Sequence, residues 1–142
     1  MERYKDMKPR VDALEALKNA TPAGDRRANG EIVVEAMKLY QLCKTKYMHW
    51  HGRAAGSMVG FGVGAAGAVA TAGISTVAAY GLCVRNCTKS DAWKLLKDKC
   101  KEIGEAAAEN SDLEFTRTSE GAMTFLRPFM MAGGDEMACS FS

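Results

Sequence analysis

The most informative absence in this sequence is that of charge. No Asp, Glu, Lys or Arg occurs from Ala54 to Val84, a window of 31 residues in a chain of 142. No acidic residue occurs between Glu35 and Asp91. An intramembrane carboxylate, which a proton-carrying subunit requires, is therefore excluded from this region. The net charge of +2 is too close to zero to indicate a nucleic-acid partner.

The residues that carry chemistry are also scarce. The two histidines, His49 and His51, point about 200° apart on a helix and cannot share a metal ion there. The five cysteines are odd in number and irregularly spaced, which is not typical of a disulfide framework. Cys83 and Cys87 supply at most half of a structural zinc site. The sequence therefore predicts no catalytic residue, no metal and no small-molecule substrate, and no cofactor beyond a structural lipid.

Two glycine motifs lie inside the uncharged window. The segment 62–67 matches the dinucleotide-binding pattern G-x-G-x-x-G, but it follows no strand and has no acidic residue about 20 positions later. The overlapping run from Gly60 to Gly67 resembles the glycine-rich helix of ATP synthase c-subunits over eight residues. A c-subunit also needs a second span and an intramembrane carboxylate. Neither motif therefore indicates its usual function here.

The window itself has the length and composition of a membrane span. A bilayer core requires about 20 predominantly apolar residues as helix. Tyr47 and Trp50 precede the window, Tyr80 lies near its end and Arg85 follows it, which is typical of residues at a membrane interface. The sequence thus predicts an all-α chain with a single transmembrane helix over about 54–84. The alternative, a buried helix in a soluble enzyme, is disfavoured because the rest of the chain is too short to cover it.

Small residues line one side of this predicted helix. The window holds seven Gly, nine Ala and four Ser or Thr. Seven small residues recur at steps of three and four, within about 100° of arc. Such a stripe lets the backbone of a neighbouring helix approach closely, so we predict that it packs against other membrane subunits. Its members are Gly56, Gly60, Gly64, Gly67, Thr71, Ser75 and Ala78.

The N-terminal flank, 1–53, predicts two amphipathic helices. The first covers Pro9–Ala20, and the second runs from Gly30 to about His51 with Asn29 as its N-cap. Gly52 is either a bend or part of a continuous helix. The first helix has apolar residues at helical spacing: Val11, Leu14 and Leu17.

The C-terminal flank, 85–142, predicts one more amphipathic helix and an irregular docking tail. Ser90 is the expected N-cap of a helix that ends at about Glu109. The apolar seam of that helix and the patch at 125–131 predict partner subunits, because little chain remains to cover them. Cys139 begins a four-residue segment with the bare form of a prenylation box, for which coincidence is the favoured interpretation. The seam consists of Trp93, Leu96, Cys100, Ile103 and Ala107.

Together these features predict a non-catalytic accessory subunit of a membrane complex. Three features favour a respiratory-chain or ATP-synthase complex of the inner mitochondrial membrane. They are the absence of a secretory h-region after Met1, the free cysteines and the basic segment after the window. The distribution of Lys and Arg weakly favours Arg85 onward on the matrix or cytosolic side. The alternative is a self-oligomerising glycine-zipper protein that permeabilises or remodels membranes.

Overall fold

A computed structural model describes the backbone of residues 3–71, 74–117, 119, 123–125, 129–130, 136–137 and 141. Side chains are described for residues 3–56, 80–117, 119, 123 and 141. The chain divides into two compact units. Unit 1 comprises Met1–Gln41 and Leu96–Ser142, and unit 2 comprises Leu42–Leu95.

Three helices account for most of the described chain: α1 (Tyr4–Ala20), α2 (Arg26–Thr71) and α3 (Ile74–Glu109). This confirms the predicted all-α class. Four short strands follow, which the sequence did not predict: Phe115–Arg117 (β1) pairs antiparallel with Met123–Phe125 (β2), and Phe129–Met130 (β3) pairs likewise with Glu136–Met137 (β4). The tail after α3 is therefore not wholly irregular.

Helix α1 begins earlier than the sequence predicted. Asp6 and Met7 both donate backbone hydrogen bonds of 3.0 Å to the Arg3 carbonyl, which starts the helix before Pro9. Met7, Val11 and Leu14 are the buried residues of this helix. Leu17, predicted to lie on the same stripe, is 54% exposed. The apolar face is therefore shifted by one turn towards the N-terminus.

The start of α2 uses a different cap from the predicted Asn29. Asp25 accepts a hydrogen bond at Oδ1 from the Ala28 N–H (3.2 Å), as an N-cap residue does. Asn29 lies inside the first turn and is fully buried. Its side-chain amide donates to the carbonyls of Pro22 (3.0 Å) and Asp25 (2.9 Å). Asn29 thus fixes the loop between α1 and α2. The helix then continues through Gly52, in agreement with the continuous-helix alternative.

Ion pairs and hydrogen bonds connect the helical segments of unit 1. Lys99 on α3 pairs with Glu15 on α1 at 2.5 Å, and Arg10 on α1 lies 3.7 Å from Glu35 on α2. The Arg26 guanidinium donates to the Ser111 carbonyl (2.6 Å), which joins the start of α2 to the turn after α3. The apolar face of α2 is buried, at Ile32, Val33, Ala36, Met37, Leu39, Tyr40 and Cys43.

Helix α3 runs through Ser90, so the predicted N-cap there is wrong. Ser90 is an interior residue of the helix and only 3% exposed. The predicted end at Glu109 is confirmed. All five residues of the seam from Trp93 to Ala107 are buried within this chain. The argument that this seam requires partner subunits is therefore wrong, because the chain covers it.

Phe141 completes the core of unit 1. It is fully buried, and its N–H donates to the Met123 carbonyl (3.3 Å). Its ring meets that of Tyr40 edge to face, with centroids 5.5 Å apart. A Cβ atom added to Gly104 would lie 2.2 Å from the ring. Phe141 belongs to the four-residue prenylation box, so its burial favours coincidence for that match.

The uncharged window does not form one helix. Helix α2 ends at Thr71 and α3 begins at Ile74. In a continuous helix Arg53 and Asn86 would lie about 50 Å apart. Instead, the Asn86 side-chain amide donates to the Arg53 carbonyl (3.4 Å), and Lys89 lies over the Trp50 ring. Unit 2 is therefore an antiparallel helical hairpin, called here the hairpin, and the predicted single span is not supported.

Within the part of the chain whose side chains are described, no helix combines the length and the apolar character needed to cross a membrane. The side chains of residues 57–79, the centre of the predicted span, lie outside that description.

Candidate functional site

Aromatic and cationic side chains meet at the base of the hairpin, the end opposite the reversal between α2 and α3. On α2, Trp50 and Arg53 are three residues apart and share one face, which brings the guanidinium carbon within 5.3 Å of the indole centroid. From α3, the Lys89 ammonium lies 4.2 Å from the same centroid. One indole thus holds two cations from two helices, at a distance where the attraction is electrostatic.

Further aromatic contacts surround this arrangement. The rings of Tyr47 and His51 lie 5.3 Å apart in a tilted stack, and His49 meets Trp50 edge to face at 5.3 Å. Residues 47–53 occupy about two helical turns, so these side chains form a ring-rich band around α2. We call Tyr47, His49, Trp50, His51, Arg53, Arg85 and Lys89 the belt.

Charge is divided unequally between the two units. The hairpin contains six Lys or Arg and a single carboxylate, Asp91, a formal charge of +5. Unit 1 contains 13 Lys or Arg and 16 Asp or Glu, a formal charge of −3. The near-neutral total therefore conceals a strongly basic hairpin.

The structure places the four predicted interface residues as follows. Tyr47 and Trp50 are half-buried members of the belt. Arg85 is exposed on α3, one turn before Lys89. Tyr80 is 61% exposed and precedes Lys89 by about 13 Å along α3. Sequence reasoning missed that Lys89 meets Trp50, because it placed them on opposite sides of a membrane.

The predicted small-residue stripe is divided between two helices. Gly56, Gly60, Gly64, Gly67 and Thr71 belong to α2. Ser75 and Ala78 belong to α3. Only Gly56 has described surroundings: it is exposed, with nothing within 4 Å of an added Cβ. The side-chain environment of the other six lies outside the described residues, and the packing role of all seven stays a prediction.

Two thiols lie near the belt on α3. Cys83 and Cys87 are half-buried free cysteines one turn apart. Burial raises the pKa of the Cys87 thiol, and its hydrogen bond with Cys83 raises it further. A raised pKa lowers the thiolate fraction, so this arrangement does not activate a nucleophile. Among the described side chains, no group of three or more His, Cys, Asp or Glu could hold a metal ion.

Apolar exposure is also concentrated in the hairpin. Six of the eight exposed large hydrophobic side chains described lie there, and the other two, Tyr4 and Leu17, lie on α1. The belt therefore lies beside exposed apolar surface as well as next to the uncharged window. The six are Leu42, Met48, Tyr80, Leu82, Val84 and Leu95.

No family model, curated protein or solved structure matches this chain.

Proposed function

We propose that this protein is a non-catalytic, membrane-associated accessory protein that attaches to a bilayer through the hairpin. The observation that supports the proposal is the order of surfaces along the hairpin: an uncharged segment at 54–84, then the belt at its base. Aromatic and basic residues prefer the boundary between hydrocarbon and water, whereas small and apolar residues tolerate the hydrocarbon. The hairpin presents these surfaces in the order in which a bilayer would meet them.

The lengths of the two arms favour entry from one side. From Arg53 to Thr71, α2 rises about 27 Å, and from Ile74 to Asn86, α3 rises about 18 Å. A bilayer core is about 30 Å thick. A hairpin with these arms enters the hydrocarbon and returns to the same face. We therefore propose that residues 1–53 and 85–142 lie on one side of the membrane, in contrast to the opposite sides that a single span implies.

The accessory role is supported by the exposed apolar residues of the hairpin. Side chains such as Leu82 and Leu95 are 52% and 72% exposed, so they remain available to lipid or to helices of other membrane subunits. An inner mitochondrial membrane complex of the respiratory-chain or ATP-synthase type remains our proposal for the partners. Native electrophoresis in mild detergent, with mass spectrometry of the co-migrating chains, tests it.

Membrane attachment is tested by flotation with neutral phosphatidylcholine vesicles. Leu82→Asp places a charge inside the uncharged window, two residues before its end at Val84. Leu17→Asp places the same charge at an equally exposed leucine on α1. An acidic side chain costs about 2.5–3.5 kcal/mol at the centre of a membrane helix and less near its ends. We expect the wild-type protein and Leu17→Asp to float with the vesicles and Leu82→Asp to float less. A wild-type protein that stays at the bottom of the gradient would exclude the proposal.

A second candidate function is self-association through glycine. Gly56 is exposed, and the open space around it allows the backbone of another copy to approach closely. In this case the purified protein alone forms a defined oligomer in detergent, and Gly56→Leu reduces it to the monomer. The accessory protein, in contrast, stays monomeric without its partners. Light scattering on the purified wild-type protein and on the purified Gly56→Leu variant separates these outcomes.

A further inference from the structure

We propose that the belt binds the phosphate groups of anionic phospholipids, with Lys89 and Arg53 as its principal contacts. This inference rests on the proposed membrane attachment and adds a ligand to it. The observation behind it is the position of two cations from different helices on the single indole of Trp50 (4.2 and 5.3 Å). Both cations therefore lie together at the boundary of the uncharged window.

The indole ring orders these cations without cancelling their charge. A cation–π contact attracts the ammonium or guanidinium through the ring quadrupole and adds no negative charge. The hairpin contains six Lys or Arg and one carboxylate, Asp91, so its formal charge is +5. The hairpin around Trp50 therefore carries a net positive charge that an anionic ligand can match.

Neighbouring residues enlarge the same positive surface. Arg85 is exposed and lies one turn from Lys89, and Lys46 lies one turn before Trp50. Guanidinium and ammonium groups are the usual donors to phosphate oxygens, and Trp prefers the headgroup level of a bilayer. Because the uncharged window begins at Ala54, directly after Arg53, these features favour a lipid phosphate over a nucleic-acid phosphate.

The experiment compares partition onto neutral vesicles with partition onto vesicles that contain phosphatidylglycerol, at low ionic strength. One basic residue near an anionic bilayer surface raises partition about fivefold. We expect Lys89→Gln and Arg53→Gln each to lower the preference for anionic vesicles about fivefold. Lys5→Gln removes one charge from an exposed position on α1 and should change it little. Circular dichroism at 222 nm confirms that each variant is folded.

Four results would overturn the inference. Equal effects of Lys89→Gln and Lys5→Gln would show that total charge decides the preference. Equal binding of wild-type protein to neutral and anionic vesicles would exclude phosphate recognition while leaving membrane attachment intact, whereas no binding to either would exclude both. Tighter binding to a single-stranded RNA than to anionic vesicles would identify nucleic acid as the ligand.

One addition separates a lipid phosphate from a free phosphate, and a second tests whether the preference is electrostatic. Inorganic phosphate at constant ionic strength should not release the protein from anionic vesicles, and release would assign the belt to a free anion. High salt should weaken the preference for anionic vesicles, because screening shortens the reach of the surface charge. A preference unchanged by salt would contradict the proposal.

Discussion

Replacing Gly104 with alanine tests how strictly Phe141 is fitted into unit 1. Gly104 lies inside α3, where alanine is favoured over glycine by about 1 kcal/mol. The added methyl group, however, would lie 2.2 Å from one carbon of the Phe141 ring and 2.9 Å from two others. These distances are far inside van der Waals contact, so the ring has to move.

The size of the effect follows from two limits. Overpacking a well-filled core costs about 1–3 kcal/mol. Complete loss of the packing of a buried phenylalanine costs about 3–5 kcal/mol. After the helix-propensity gain of about 1 kcal/mol is subtracted, we expect Gly104→Ala to lower the free energy of unfolding by about 2 kcal/mol. Urea denaturation followed by circular dichroism at 222 nm measures this change.

Two matched glycines provide controls. An alanine Cβ at Gly30 would meet the flexible Asp112 carboxylate at 2.9 Å, which can move aside at little cost. At Gly81 nothing lies within 4 Å. We expect Gly30→Ala to be nearly neutral and Gly81→Ala to be stabilising.

The decisive measurement is a double-mutant cycle. In a Phe141→Ala background the obstacle to the methyl group is gone, so Gly104→Ala should become neutral or stabilising. The destabilising effect of Gly104→Ala in the wild-type protein is therefore expected to be absent or reversed in the Phe141→Ala background. If Gly104→Ala stabilises the wild-type protein as it stabilises the Phe141→Ala variant, the contact between Gly104 and Phe141 does not exist.

Three further predictions concern other parts of the molecule. Burial raises the pKa of the Tyr40 hydroxyl, with Asp98 and Glu105 as smaller causes. The folded state therefore favours the protonated hydroxyl. The resulting contribution to the free energy of unfolding is complete below about pH 10 and decreases as the pH rises further. Unfolding of Tyr40→Phe between pH 9 and 11.5 should lack that alkaline component, and identical pH profiles would contradict it. Asn29→Ala removes both donors that hold the α1–α2 loop, for an expected loss of about 1–3 kcal/mol in urea unfolding, and an unchanged midpoint would refute the role of this amide. If the hairpin enters from one face, cysteines introduced at Gly24 and Glu114 in a cysteine-free background should both react with one impermeant reagent outside sealed vesicles; labelling of only one would restore the single span.

The α3 seam and the uncharged window differ in how far the sequence predicts their structure. Trp93, Leu96 and Ile103 are predictable because buried residues of an amphipathic helix repeat every three to four positions. The window has apolar or small residues on every side, so its periodicity carries no information about where one helix ends and another begins. Composition could thus identify the segment, but it could not distinguish one long helix from a hairpin.

Other features depend on contacts between distant residues. Gly104 and Phe141 are separated by 37 positions, and no local pattern relates a helical glycine to an aromatic residue in a tail. Strands β1–β4 contain two or three residues each, which is too short for an alternating pattern to appear. The belt was predictable in its composition, from Trp50 and Arg85 beside an uncharged segment. The contact between its two helices was not predictable, because it depends on the reversal of the chain between α2 and α3.

Under the proposed membrane attachment, the reversal of the hairpin also determines which segments must cross the hydrocarbon during biosynthesis. A single span would require one charged flank, 1–53 or 85–142, to pass through the hydrocarbon, at a cost for each charged group. A hairpin that enters and leaves by the same face moves only its uncharged segment into the lipid. Insertion then requires no transfer of a hydrophilic flank, and unit 1 can fold before the hairpin meets the bilayer.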